Sequence, residues 1–127
     1  MKKYRIIIPQ GVLPEKFELT AAGILLNYFK DDIEFVPRGT SSTPDFTIKG
    51  TRWELKSPVG KGKRNIQHQF NRAAKQSKNI IFDARRSKMD IRKIRHQLNY
   101  FATKAKRSES INRLLLINKE GNMEKIK

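Results

Sequence analysis

The stretch from Asp45 to Lys56 constrains the fold more than any other part of the chain. Phe46, Ile48, Trp53 and Leu55 alternate with polar residues on either side of Lys49-Gly50. Side chains of a strand point alternately to opposite faces, so this period of two marks two strands that each bury one face. A Lys-Gly link is too short for a crossover, and the two strands must form an antiparallel hairpin. Glu54 and Lys56 then share the face opposite Trp53 and Leu55. Asp45 starts the first strand, and the strand ends remote from the turn come together. The hairpin therefore delivers Asp45 beside Glu54 and Lys56.

Helical periods flank this hairpin. Phe17, Ala21, Ile24, Leu25 and Tyr28 recur at helical spacing after Pro14. Proline suits the first turn of a helix, where its missing N–H would be unpaired in any case. Glu15 and Glu18 fall in the first turns, where carboxylates favour the helix dipole. Asp31 and Asp32 end the helix. A short strand or extended arm is expected over 3–8, and Ile33-Glu-Phe-Val36 is a further candidate strand before a turn-rich loop over 38–43. A basic loop over 57–64 leads into a helix over 65–78, with Ile66, Phe70, Ala73 and Ala74 on one side. A strand over 79–84 precedes a helix over 90–107 carrying Ile91, Ile94, Leu98, Phe101 and Ala105 on one face. A strand over 113–118, a turn at 119–122 and a short closing strand complete the chain. The order α-β-β-α-β-α-β-β predicts an α/β (α+β) fold, a mixed central β-sheet flanked by helices. The 127 residues contain no internal repeat and no linker, so residues 1–127 are expected to form a single domain.

Charge narrows the class of partner. There are 28 Lys and Arg against 12 Asp and Glu, a formal net charge of +16. The surplus is one-sided: residues 61–107 hold 15 Lys or Arg and only Asp83 and Asp90 as acids. Repulsion on this scale opposes compaction unless a polyanion offsets it. Asn, Gln and His interleave the basic residues where a membrane-surface helix would show Trp, Phe and Leu, so nucleic acid is the expected partner and a membrane is not. The N-terminal apolar run is too short for a signal peptide, and no stretch approaches the ~20 apolar residues of a membrane span. A soluble protein acting in the cytoplasm is the expectation. Without cysteine, thiolate metal sites are excluded.

Two carboxylates and an ammonium converging at a sheet end have little structural purpose and a clear chemical one. Oxygen ligands such as Asp45 and Glu54 suit Mg2+ or Mn2+ ahead of Zn2+. Such an ion polarises a phosphodiester and acidifies bound water. A neighbouring lysine, here Lys56, can orient that water and screen charge in the transition state. A plain surface Glu-Lys pair would contribute well under ~1 kcal/mol.

Pro44-Asp45 followed by Glu54-Leu55-Lys56, after an acidic-start helix and before a basic one, resembles the PD-(D/E)xK nuclease superfamily. Trp53-Glu-Leu-Lys-Ser-Pro58 with Gln76-Ser-Lys-Asn-Ile-Ile-Phe-Asp-Ala-Arg-Arg86 looks like the toxin nuclease domains of contact-dependent growth inhibition systems and similar phage or mobile-element proteins, several of which resemble transfer-RNA nucleases. The likeness spans about residues 14–118 and implies a restriction-endonuclease-like αβββαβ core, with Ile33-Glu-Phe-Val36 or the strand at Asn79 as its third strand. It implies Asp45 and Glu54 as metal ligands and Lys56 as the catalytic lysine. A helical carboxylate, Glu18 before Glu15, and a helical Gln, Gln76 or Gln69, would complete the site. Gln67, His68 and His96 are expected on the surface. Lys61, Lys63, Arg64, Arg72, Lys75, Arg85 and Arg86 would grip phosphates, which positions a backbone without reading bases. The implied activity is a metal-dependent endonuclease acting on RNA such as transfer RNA ahead of DNA, with an acidic immunity protein as a second partner. A metal-independent ribonuclease of the barnase or colicin type and a non-catalytic nucleic-acid-binding module are the alternatives.

Overall fold

The computed structural model describes residues 3–37, 46–60, 63–105 and 108–127, with backbone alone for 63–65, 75 and 76. The elements in chain order are β1 (Ile6–Ile7), α1 (Lys16–Phe29), β2 (Ile33–Phe35), β3 (Phe46–Ile48), β4 (Thr51–Lys56), α2 (Lys63–Gln76), β5 (Asn79–Asp83), α3 (Ile91–Thr103), a 3-10 turn (Ser108–Ser110), β6 (Arg113–Ile117) and β7 (Met123–Lys125). Among the described residues seven strands form one sheet whose spatial order is the chain order. β1 and β2 are parallel, β2-β3-β4 are antiparallel, β4-β5-β6 are parallel and β7 is antiparallel to β6. This is the mixed α+β architecture that the alternating and helical periods predict.

The hairpin forms as its pattern dictates. Phe46 pairs with Trp53 and Ile48 with Thr51. Lys49 and Gly50 both take positive φ, 52° and 76°. A two-residue turn needs this left-handed pair to match the twist of its strands. Ile33–Phe35 is a strand and sits between β1 and β3.

Helix boundaries differ from expectation for local reasons. α1 starts at Lys16, so Pro14 precedes the helix, and Glu15 is its N-cap in a capping box with Glu18. The Glu15 N–H donates to Glu18 Oε1 at 2.9 Å. The buried stripe is Glu18, Ala21, Ala22 and Leu25, and Phe17 and Ile24 pack against the same core partly buried. Tyr28 is turned outward, 44 % exposed, against the edge of Phe29. The helix stops at Lys30, which adopts the left-handed conformation and returns its N–H to Leu26 at 2.9 Å. α2 begins and ends two residues ahead of the expected bounds. Ser77 donates its hydroxyl to the Arg52 carbonyl and accepts the Asn79 N–H, which leads the chain into β5. α3 is capped by the Asp90 carboxylate, which accepts the Arg92 N–H at 2.8 Å, and ends at Thr103.

The sheet separates two cores. Under α1 lie Ala21, Leu25, Trp53, Leu55, Ile81 and Leu115. Under α2 and α3 lie Ile66, Phe70, Ile80, Phe82, Leu98 and Leu114. Phe70 stacks on Phe101 at 4.8 Å and joins the two helices. β5 and β6 are covered on both faces, which is why they read as unbroken apolar runs. No helix among the described residues is long and apolar enough to cross a membrane.

β7 is held to α3 by a bidentate pair, Arg95 Nε to Glu124 Oε1 at 2.8 Å and Arg95 Nη2 to Glu124 Oε2 at 2.6 Å. Asn118 adds an amide hydrogen bond to the same carboxylate. The hydrogen bonds from Arg95 hold the Glu124 carboxyl below its ordinary range, with Asn118 contributing. A depressed carboxylate stabilises the fold above its unfolded value, about 4.3, and loses that contribution as pH falls through its lower folded value. Melting curves from pH 7 to pH 2 should therefore show Glu124→Gln less stable than the parent at neutral pH. The two curves should converge in acid. A constant gap across that range would rule out this linkage.

Candidate active site

β4 carries the chemistry-bearing pair. Trp53 and Leu55 enter the core under α1, so alternation turns Glu54 and Lys56 to the α2 face. There Glu54 lies level with Ile80 and Lys56 with Phe82 on the parallel neighbour β5. Lys56 Nζ is 2.9 Å from Glu54 Oε1, and the two side chains retain 16 % and 3 % exposure. Both charges thus sit on apolar ground. Pairing offsets a desolvation cost of several kcal/mol per ion that neither charge would tolerate alone. A hydrophobic pair would pack this position at least as well, so stability does not explain the choice of residues.

The other expected site residues are distributed as follows. Asp45 and Lys61 lie outside the described residues, as do the side chains of Lys63, Arg64, Lys75 and Gln76. Asp45 adjoins Phe46 in the chain, and Phe46 pairs with Trp53, the neighbour of Glu54. Glu18 is buried at 5 % exposure, on a helix that packs against the Trp53 and Leu55 face, and its carboxylate closes the α1 capping box. Glu15 is exposed. Gln69 is half-buried on α2, while Gln67, His68 and Arg72 are exposed there and His96 is exposed on α3.

Arg85 and Arg86 have internal partners. Arg85 makes a bidentate pair with the fully buried Asp83, at 2.9 and 2.7 Å. The same guanidinium donates to Thr20 Oγ1 at 3.0 Å and the Phe17 carbonyl at 3.2 Å on α1. Arg86 donates to the Ser57 hydroxyl and carbonyl at 3.0 and 2.7 Å. Its guanidinium lies 3.6 Å over the Phe17 ring, a cation–π contact. These bracing roles escape a reading based on charge alone. Their signal is the Asp83-x-Arg85 spacing at a strand end, where one acid waits for a partner.

The loops leaving β4 and β5 meet at the same end of the sheet as Lys56. The Lys88 N–H and the Ser87 hydroxyl both donate to the Gly60 carbonyl at 3.3 Å. In sheets with parallel strands, this carboxyl end is where ligands bind. Among the described residues, no three His, Asp or Glu side chains gather to hold a metal ion. Mg2+ takes one or two carboxylates and completes its shell with water and phosphate, so Glu54 with one further carboxylate is a chemically sufficient donor set.

The architecture places the chain first in a fold class. It superposes on a chain of the solved CdiA-CT/CdiI toxin and immunity complex from Burkholderia pseudomallei with a TM-score of 0.66, at 20 % identity, covering 97 % of this chain and 98 % of that one. The profile of the contact-dependent growth inhibition CdiA C-terminal domain matches residues 42–123, and the chain belongs to that family. No curated protein matches it.

Proposed function

We propose that this chain is a toxin domain that hydrolyses nucleic acid by a metal-dependent mechanism of the PD-(D/E)xK type, with RNA such as transfer RNA as its substrate. The observation that carries the reading is the Glu54–Lys56 pair, charged, 2.9 Å apart and almost buried at the carboxyl end of β4. Glu54 and Asp45 would hold Mg2+ or Mn2+, which when bound polarises the phosphodiester and acidifies water. Glu54 presents its carboxylate in a low-dielectric setting, where it attracts a cation more strongly than a surface carboxylate does. Lys56 pairs with that carboxylate at 2.9 Å and would orient the attacking water and offset charge on the phosphorane-like transition state. Glu18 is a weaker candidate, because its carboxylate already serves the capping box. The RNA preference and a cytoplasmic site of action rest on the likeness to the family alone, and an acidic immunity partner also suits the +16 charge.

The test is incubation of the purified protein with total RNA and with plasmid DNA, in Mg2+, in Mn2+ and in excess EDTA, followed by sequencing of cut ends. Cleavage of RNA in either metal, absent in EDTA, is expected. Cutting that survives EDTA would overturn the metal mechanism, and no cutting of either substrate would overturn the nuclease reading. Preferential plasmid cleavage would transfer it to DNA.

A further inference from the structure

Arg86 is an exposed residue whose guanidinium is nonetheless fixed on two sides. Its Nε and Nη2 donate to the hydroxyl and carbonyl of Ser57 at 3.0 and 2.7 Å. Its central carbon lies 3.6 Å over the centroid of the Phe17 ring. A carbon that close leaves no room for an N–H aimed at the ring, so the guanidinium lies flat on it. A long side chain gives up its rotamer freedom to hold such a pose. With one face on Phe17 and one edge on Ser57, the polar surface left to water is the outer face of the plane and Nη1. Nη1 has no partner among the described residues. The fork of Nε and Nη2 that would hold a phosphate is taken by Ser57, so a bidentate phosphate grip is closed to this group. Stacking on its free face remains open.

The plane stands next to the candidate site. Ser57 follows Lys56 directly, so the two hydrogen bonds tie Arg86 to the end of the strand that carries Glu54 and Lys56. Beside it opens a cleft of about 480 Å³ lined by Glu15, Lys16, Phe17, Thr20, Arg85 and Arg86. Arg85 directs its donors to Asp83, Thr20 and the Phe17 carbonyl, which leaves Arg86 as the guanidinium with a free face there. Unpaired bases of RNA are held by stacking on aromatic rings and on arginine planes. We propose that the outer face of Arg86 is a stacking platform for an unpaired base flanking the bond that is cut. Phe17, guanidinium and base then form three layers, and Lys16, exposed on the same cleft, offers its charge to the backbone. Phe17 and Ser57 set the plane beforehand, so no side chain has to be ordered when the base arrives. The place of the platform beside the cut rests on the nuclease reading, whereas stacking itself is measurable without cleavage.

The test is nuclear magnetic resonance titration of the whole chain in EDTA with a short oligomer of 2′-O-methyl adenylate and with its abasic counterpart. EDTA removes any metal, and the methyl group blocks the 2′-hydroxyl, so neither oligomer is cut. The Arg86 Nε–H, held by Ser57, is the reporter. A base stacked on the plane should move it upfield by its ring current, and the abasic oligomer should not. The adenylate oligomer should bind about tenfold tighter than the abasic one, the worth of one stacked base. Arg86→Lys keeps the charge and loses the plane, so it should bring the two oligomers level and leave abasic binding unchanged. Equal affinity and equal shifts in the parent chain would reduce Arg86 to a charge and overturn the platform. An Arg86 signal that neither oligomer moves, or an adenylate preference that survives Arg86→Lys, would overturn it as well. Cleavage of RNA in metal alongside any of those results leaves the nuclease reading intact. The upfield shift without cleavage in any metal keeps the platform and removes that reading.

Discussion

Glu54→Gln is expected to slow cleavage by about three orders of magnitude while the domain stays folded. A bound ion supplies several kcal/mol to a phosphodiester transition state, and each ~1.4 kcal/mol is tenfold in rate. The substitution keeps the volume of the side chain and removes the charge that faces Lys56 at 2.9 Å. Lys56 keeps 16 % exposure and can extend its ammonium toward water, so the loss of its partner is tolerable. The measurement is a single-turnover rate at saturating metal alongside a thermal melt. A double variant, Glu54→Gln with Lys56→Met, separates chemistry from architecture. Replacing a buried ion pair with groups of matched volume is often neutral or stabilising, so the melt should recover while the rate does not. Wild-type cleavage by Glu54→Gln would remove this pair from the mechanism.

The largest effect on stability is expected for Arg85→Ala. Asp83 has no exposure, and Arg85 contacts both of its carboxylate oxygens. Removing the guanidinium leaves a carboxylate in the interior at the end of β5, a change that costs about 3–5 kcal/mol. The loss also removes the hydrogen bonds to Thr20 Oγ1 and the Phe17 carbonyl, which tie the first turns of α1 to the end of β5. A fall in melting temperature of roughly 10 °C or more should follow for a domain of this size. Arg72→Ala, on the exposed face of α2, should leave the melt unchanged and is the matched control for lost charge. An Arg85→Ala domain that melts like the parent but binds RNA weakly would make Arg85 a phosphate contact instead of a brace.

Much of the fold is legible in the sequence where one force dominates. The hairpin is the clearest case: alternation around Lys49-Gly50 sets both its register and the shared face of Glu54 and Lys56. The buried faces of α2 and α3 follow equally from Ile66, Phe70, Ile94 and Leu98. Legibility fails where local chemistry competes with periodicity. On α1 the packing against the sheet buries Ala22 and draws in Phe29, while Tyr28, at helical spacing from Ile24, faces outward. Basic residues are the harder case, because charge does not announce its partner. Arg72 and Arg85 carry the same charge, and only Asp83 two residues earlier sets Arg85 apart, yet one is exposed on α2 and the other is locked between β5 and α1.

The coincidence of sheet order with chain order has a consequence for how this domain assembles. No strand has to wedge between two that are already paired, so the sheet can grow outward by accretion from its most local step. That step is the β3–β4 hairpin, of a kind that closes in about 1–10 microseconds, whereas β4–β5 and β5–β6 must wait for loops that carry a whole helix. Glu54 and Lys56 would then spend the early part of folding hydrated, side by side on a bare hairpin. The arrival of α2 and β5, as the late event, converts a solvated ion pair into a buried one.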